Sequence, residues 1–231
     1  MEFSPIAGFD DFCRALARAG FAMSGGNCEG IFSLSPYFDT ATVRAHSGVP
    51  ETDPWCWRIR AVTQRREFAL GKFFFNKNGW ITRDWLPYFL AVRRQGRPLD
   101  ALEDWYRDGL VSRLSLTLYQ AIRERPALPY HLLKDYSGGA SANAVNTALA
   151  ALERGLFITV CGEAYKLSAK GEPYGWPSVT YCTMVHYFGE EPFAAAADLS
   201  PDEAETRIRG QIFALNPLAE ETAIRRFIRR T

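Results

Sequence analysis

The sequence predicts a mainly α fold with short β wings, an α+β chain. Three observations predict it. Residues 112–154 hold three helix-forming stretches, and two apolar runs around a turn follow over 157–183. Capping residues (Asp53, Thr82, Ser141, Ser200) stand ahead of apolar residues at helical spacing. The 231 residues are 47% hydrophobic and 14% aromatic, enough to bury one sizeable core or two small ones. Three helices followed by a twisted hairpin form a winged helix-turn-helix pattern. The expectation is a winged domain packed on a helical N-terminal half.

The elements read as follows. Over 8–20, Phe9, Phe12, Leu16 and Ala19 share one helix face and Gly20 ends it. Residues 24–52 are loop-rich, with a short strand over 30–34. Asp53 caps the next helix, Pro54 suits its first turn, and Trp55, Ile59 and Val62 make its apolar stripe. Asn78-Gly79 signals a turn. Thr82 caps a helix carrying Trp85, Phe89 and Val92, which ends near Gly96 with Arg93 and Arg94 in its last turn. Residues 99–107 are an acidic helical stretch closed by Asp108-Gly109.

Residues 112–123 read as a helix with Leu114, Leu118 and Ile122 on one side, and Pro126 breaks it. A short helix covers 129–136. Ser141 caps a third, whose buried face is Ala142, Val145, Leu149 and Leu152. A strand over 157–160, a turn at Gly162, residues 164–167 and a last strand over 178–183 complete the wing. Ser200-Pro201-Asp202-Glu203 is a capping box opening a helix with Ile208, Ile212 and Leu215. A final helix over about 218–230 carries Ile224, Phe227 and Ile228.

The expected organisation is a helix and loop (1–52), a helical basic segment with a degenerate helix-turn-helix (53–111), the winged domain (112–186) and C-terminal helices (187–231). The net charge is only +1, which by itself argues against a polyanion binder. Its distribution differs: residues 53–98 hold ten basic and three acidic residues, +7, between flanks of −3 each. Five cysteines without a Cys-x-x-Cys spacing, and three scattered histidines, disfavour a disulfide framework and a metal site. No cofactor-binding loop is present. No secretory signal or membrane-spanning run is present either, so a reduced, cytoplasmic protein is expected.

Several motifs carry a resemblance. They are Asp53-Pro54-Trp55-Cys56-Trp57-Arg58, Gly71-Lys72-Phe73-Phe74, Gly79-Trp80-Ile81-Thr82 and Trp85-Leu86-Pro87-Tyr88-Phe89, then Asp108-Gly109. Gly171-Glu172-Pro173-Tyr174-Gly175-Trp176-Pro177 and Tyr181-Cys182-Thr183 follow. In this order the chain resembles the AlkZ-related bacterial proteins, winged-helix relatives of the AlkZ and YcaQ DNA glycosylases. The resemblance implies a winged-helix fold and a DNA partner. The glycosylase branch is associated with a Gln-x-Gln motif, whereas Gln64, Gln95, Gln120 and Gln211 here include no such pair.

The candidate DNA contacts are Arg58, Arg60, Arg65, Arg66, Lys72, Lys77, Arg83, Arg93, Arg94 and Arg97, because neutralised phosphates release counterions. On the third helix of the winged pattern, Asn143, Asn146 and Thr147 have groups that can reach base edges. Lys166 and Lys170 are the wing's contribution. Trp55, Trp57, Trp80 and Trp85 offer stacking surfaces if exposed, but large aromatics are ordinarily core. Trp176 is expected to bury against the domain. Glu67 and Asp53 are the catalytic candidates; capping also accounts for Asp53. The leading expectation is DNA binding. The alternatives are a divergent glycosylase acting on alkylated DNA and a protein-interaction scaffold.

Overall fold

The structure is a computed structural model that describes residues 1–26, 28–95, 97 and 102–229. Its centre is an antiparallel sheet. Among the described residues the strands are β1 (Phe21–Met23), β2 (Phe68–Phe74), β3 (Lys77–Thr82), β4 (Leu128–Pro129), β5 (Ile158–Leu167) and β6 (Pro173–Thr183). They lie in the order β1-β3-β2-β5-β6-β4. This mixed α+β sheet corrects two expectations. The N-terminal half is not simply helical, since it supplies β1, β2 and β3. The β5 and β6 strands, of 10 and 11 residues, are not short wings.

The missed strands have a common cause. In β2 all residues but Lys72 are buried, because the strand is covered on both faces. A two-sided strand reads as an unbroken apolar run without alternation. The hairpin turn is also displaced from Asn78-Gly79. Phe74 pairs with Lys77, so Phe75 and Asn76 form a two-residue turn, at φ 52° and 57°. That left-handed pair is the type I′ arrangement. Gly79 sits inside β3, where a Cβ would lie 2.5 Å from the Phe74 ring. Likewise the strand continues through Gly162, which pairs with Thr180. The 30–34 stretch makes a single bridge, Ser33 to Met23, instead of a strand.

The helices follow their caps. In α1 (Phe9–Ala19) the expected face is buried, and Gly20 ends it at φ 84°, where a Cβ would lie 2.2 Å from Trp85 Nε1. Asp53 caps α2 (Pro54–Arg60), which runs on as a π-helical turn over 61–65. Its buried face is Trp57, Ala61 and Val62; of the expected stripe only Val62 is buried, while Trp55 is exposed and Ile59 half-buried. Thr82 ends β3 and does not cap α3 (Leu86–Arg94). A β hairpin thus separates α2 from α3. The end expected at Gly96 and the start of the 99–107 stretch lie outside the described residues; α4 covers Leu102–Arg107.

Ser112 caps α5 (Arg113–Glu124), a 3-10 segment spans Tyr130–Tyr136, and Ser141 caps α6 (Ala142–Arg154). Ala142 is exposed rather than buried. Two short helices, α7 (Met184–Phe188) and α8 (Glu191–Ala197), precede α9 (Pro201–Leu215), whose capping box is formed, and α10 (Glu221–Ile228).

Two devices join the halves. Between β2 and β5 only Leu70 and Val160 pair. The buried Thr159 hydroxyl bonds both backbone groups of Leu70, accepting from its N–H at 3.1 Å and donating to its carbonyl at 3.0 Å. The second device is the Arg93-Arg94 pair at the end of α3, 7% and 5% exposed. Arg93 donates to the carbonyls of Ile228, Arg154 and Phe227 at 3.0, 3.1 and 2.9 Å, and Arg94 to Leu156 at 2.8 Å. The rings of Phe74 and Phe157 lie under the two guanidinium groups. No helix among the described residues is long and apolar enough to cross a membrane.

Two stability predictions follow from buried charge. Arg93→Met keeps the apolar stem but leaves three carbonyls without their donor, so it should cost about 3 kcal/mol or more in a denaturant titration; an unchanged midpoint would contradict the role. Burial pushes the Glu153 carboxyl on α6 up to about 7, against the lowering effects of the Lys72 backbone N–H, the Lys72 charge and Arg154. A raised folded pKa favours the neutral acid. Its contribution is whole below the ordinary 4.5 and is lost as pH rises through about 7. Glu153→Gln should therefore gain on the native protein in unfolding midpoint as pH rises from 4.5 through about 7.

Candidate nucleic-acid interface

The β5–β6 hairpin is built in two halves. Its inner half, Ile158 to Val160 against Tyr181 to Thr183, is buried in the sheet. Beyond Gly162 the strands leave the core and side chains on both faces become accessible. The ladder slips between Ala164 and Lys166, and Gly175 adopts φ 72° on the opposite strand. Five residues at ~3.3 Å each carry the arm roughly 16 Å outward. At its tip the Ser168 hydroxyl accepts the backbone N–H groups of Lys170 and Glu172.

This arm displays Tyr165, Leu167, Tyr174 and Trp176, and Trp176 is 92% exposed. Lys166 and Lys170 lie among them and form no ion pair among the described residues. The expectation that Trp176 anchors the loop is thus corrected. Pro173, Gly175 and Pro177 shape a projecting strand, not a turn folded back on the domain.

A family model described as AlkZ related matches residues 6–229. The chain belongs to the AlkZ-related family. Comparison with curated proteins and with solved structures returned no match.

In this AlkZ-related protein the dense basic segment does not form one surface. Arg93 and Arg94 are buried against carbonyl groups, and no phosphate could reach them without unfolding α3 from its neighbours. Arg65 pairs with Asp10 at 2.6 Å, Arg83 with Glu191 at 2.6 Å and Arg97 with Asp108 at 2.5 Å; Lys77 pairs with Glu29. Arg60 lies 4.1 Å from the Phe9 ring centroid and donates to the Pro50 carbonyl. Arg58 stacks 3.5 Å over Trp55. Lys72 is half-buried beside Glu153. Arg66 is exposed at φ 49° after the π turn, close enough to Cys161 and Cys182 at the hairpin base to act on them electrostatically.

On α6, Asn143 and Thr147 are exposed, but the Thr147 hydroxyl bonds back to the Asn143 carbonyl. Asn146 accepts from the Tyr130 hydroxyl at 2.9 Å, which ties it to the 3-10 segment. Trp57 and Trp80 are core, Trp85 is half-buried, and Trp55 is 54% exposed.

The two acidic candidates part company. Glu67 is exposed on the surface. Asp53 is buried, and both its oxygens are engaged. Oδ1 accepts from His46 N–H at 3.0 Å and Trp55 N–H at 2.8 Å, and Oδ2 from Gly48 N–H at 2.9 Å. Burial opposes the charge, yet these three donors hold the carboxyl below its usual value. Asp53 therefore fixes the 46–48 loop against α2. Beside this loop lies a cavity of about 630 Å³ whose lining includes Phe12, Phe38, His46, Trp55, Arg58 and Trp80. No single residue type in the sequence marked this cavity, because its lining comes from six separate stretches of chain.

Asp53→Ala should cost about 2 kcal/mol, the cap plus two stranded donors. The native contribution is present above the ordinary carboxylate value of 3.8 and is lost as pH falls through the lower folded value. The gap between variant and native unfolding midpoints should accordingly narrow in acid; a gap independent of pH would contradict this reading.

Proposed function

We propose that this protein binds duplex DNA as a winged helix. In this reading α5, the 3-10 segment and α6 are the helical part, β5 and β6 are the wing, and residues 112–186 form the DNA-contacting unit. The observation that carries it is Trp176, a large aromatic held 92% exposed on a projecting arm beside two unpaired lysines. Such a residue contributes nothing to the core, and water is a poor environment for it unless a partner covers it. A strand arm of this kind fits a groove, where lysines meet phosphates and an aromatic packs on sugars or bases. Arg66 extends the positive charge to the base of the arm, and Asn143 offers an amide from α6. Family membership supports the same partner, since AlkZ is a DNA glycosylase. The +7 segment contributes through Arg66 and Lys72 rather than as a block.

The experiment is fluorescence anisotropy with a labelled duplex across a salt series. The double variant K166A/K170A should lower the slope of log affinity against log salt by about 2, because each lost phosphate contact removes ~0.9. Trp176→Ala should weaken binding about tenfold with the slope unchanged, as loss of an uncharged contact does. Absence of duplex binding by the native protein at low salt would sink the proposal.

A further inference from the structure

The cavity beside α2 stands apart from the arm, since no residue of the outer hairpin lines it. Its volume of about 630 Å³ falls within the ~300–1,000 Å³ of small-molecule sites. The floor is aromatic. Phe12 meets Trp80 edge-on at 5.6 Å and Phe38 closes the other side. The basic groups His46, Arg58 and Lys77 line it, and among the described residues no carboxylate does.

One wall is built with unusual care. Asp53 Oδ1 accepts from His46 and Trp55 together, so one carboxylate sets both residues side by side. Their rings lie 5.3 Å apart. His46 is held at φ 60°, a backbone region that costs a non-glycine residue roughly 1 kcal/mol. The Arg58 guanidinium rests 3.5 Å over the other part of this wall, Trp55. Its Nε points to the Trp55 carbonyl at 3.5 Å, and its terminal N–H groups make no hydrogen bond among the described residues. Glu163 and Asp53 act on it only at longer range. The arrangement spends a buried, fully satisfied carboxylate and a strained backbone to present an aromatic face and a partly desolvated cation to an open cavity.

A wholly apolar ligand would desolvate Arg58 without an acceptor, and a cationic one would meet three basic groups. We propose that the cavity binds a nucleotide. The planar base occupies the aromatic floor against Trp55, with Ser35 and Asn78 at its polar edge, and the phosphate takes the Arg58 fork. Lys77, already held by Glu29, adds positive charge nearby. This chemistry is shared by a free mononucleotide and by one nucleotide of a single strand.

Calorimetric titration of the full chain tests it with adenosine monophosphate, cytidine monophosphate, adenosine, inorganic phosphate and a short oligothymidine. A monophosphate should bind saturably and about tenfold more tightly than adenosine or phosphate alone, the worth of one charge-assisted contact. Arg58→Gln should erase that advantage and leave adenosine binding intact, while Trp55→Ala weakens nucleotide and nucleoside alike. Ala45→Trp, at an exposed lining position remote from the core, should block every ligand without a cost in folding. K166A/K170A should leave mononucleotide binding unchanged whatever it does to duplex binding, which separates this site from the arm. Binding of the oligothymidine alone, with the same dependence on Arg58 and Ala45, assigns the site to a strand. The inference is overturned if no probe binds in a manner that depends on Arg58 and Ala45.

Discussion

The burial of two arginines at the end of α3 is the constraint on which the architecture turns. A guanidinium taken out of water costs several kcal/mol unless its donors are met. Arg93 meets that demand with carbonyls from the last turns of α6 and α10, and beside it Arg94 donates to the Leu156 carbonyl that leads into β5. These helix-end carbonyls have no partner within their own helices. Two unfavourable situations therefore cancel, and elements far apart in sequence become fixed to one another. Phe227 then stacks on Phe74 at 3.8 Å and seals the end of the sheet. With that end closed and Thr159 bridging to Leu70, the two halves form one continuous sheet from which the β5–β6 arm projects.

The same constraint explains the fate of the basic segment. Charge counted along a chain is not charge presented to a partner. Two of the ten cations are consumed by carbonyls, four pair with carboxylates, two of those, Asp10 and Glu29, in the acidic N-terminal flank, and two lie against aromatic rings. Each exposed pair contributes little to stability, typically under ~1 kcal/mol. Collectively they cancel the local potential that would draw a polyanion. Of the ten, Arg66 and Lys72 form no ion pair among the described residues, and neither do the two lysines of the arm.

The exposed aromatics follow a parallel logic. Trp57 and Trp80 fill the core, where most large rings lie. Trp55 and Trp176 are accessible, and each is held by backbone chemistry: Asp53 for the first, a slipped ladder between prolines for the second. Large rings left this accessible are the strongest indication of where the protein meets something else.

The sequence by itself determined the helices that announce themselves through caps. Asp53, Ser141 and Ser200 each bond a backbone N–H within the next three residues. Gly20 likewise stops α1. These are local interactions, readable from a few consecutive residues. The family was legible in motifs such as Asp53-Pro54-Trp55, whose first residue proves to be a cap and a loop anchor at once. Only the tertiary structure decided the rest. β2 and β3 were hidden because a strand buried on both faces has no alternation to read, and because the Phe75-Asn76 turn lacks the glycine that usually marks it. The burial of Arg93 and Arg94, the exposure of Trp176 and the cavity beside α2 all depend on partners tens to more than a hundred residues away. Long-range pairing settles which polar group is spent inside and which faces out, and no local pattern carries that information.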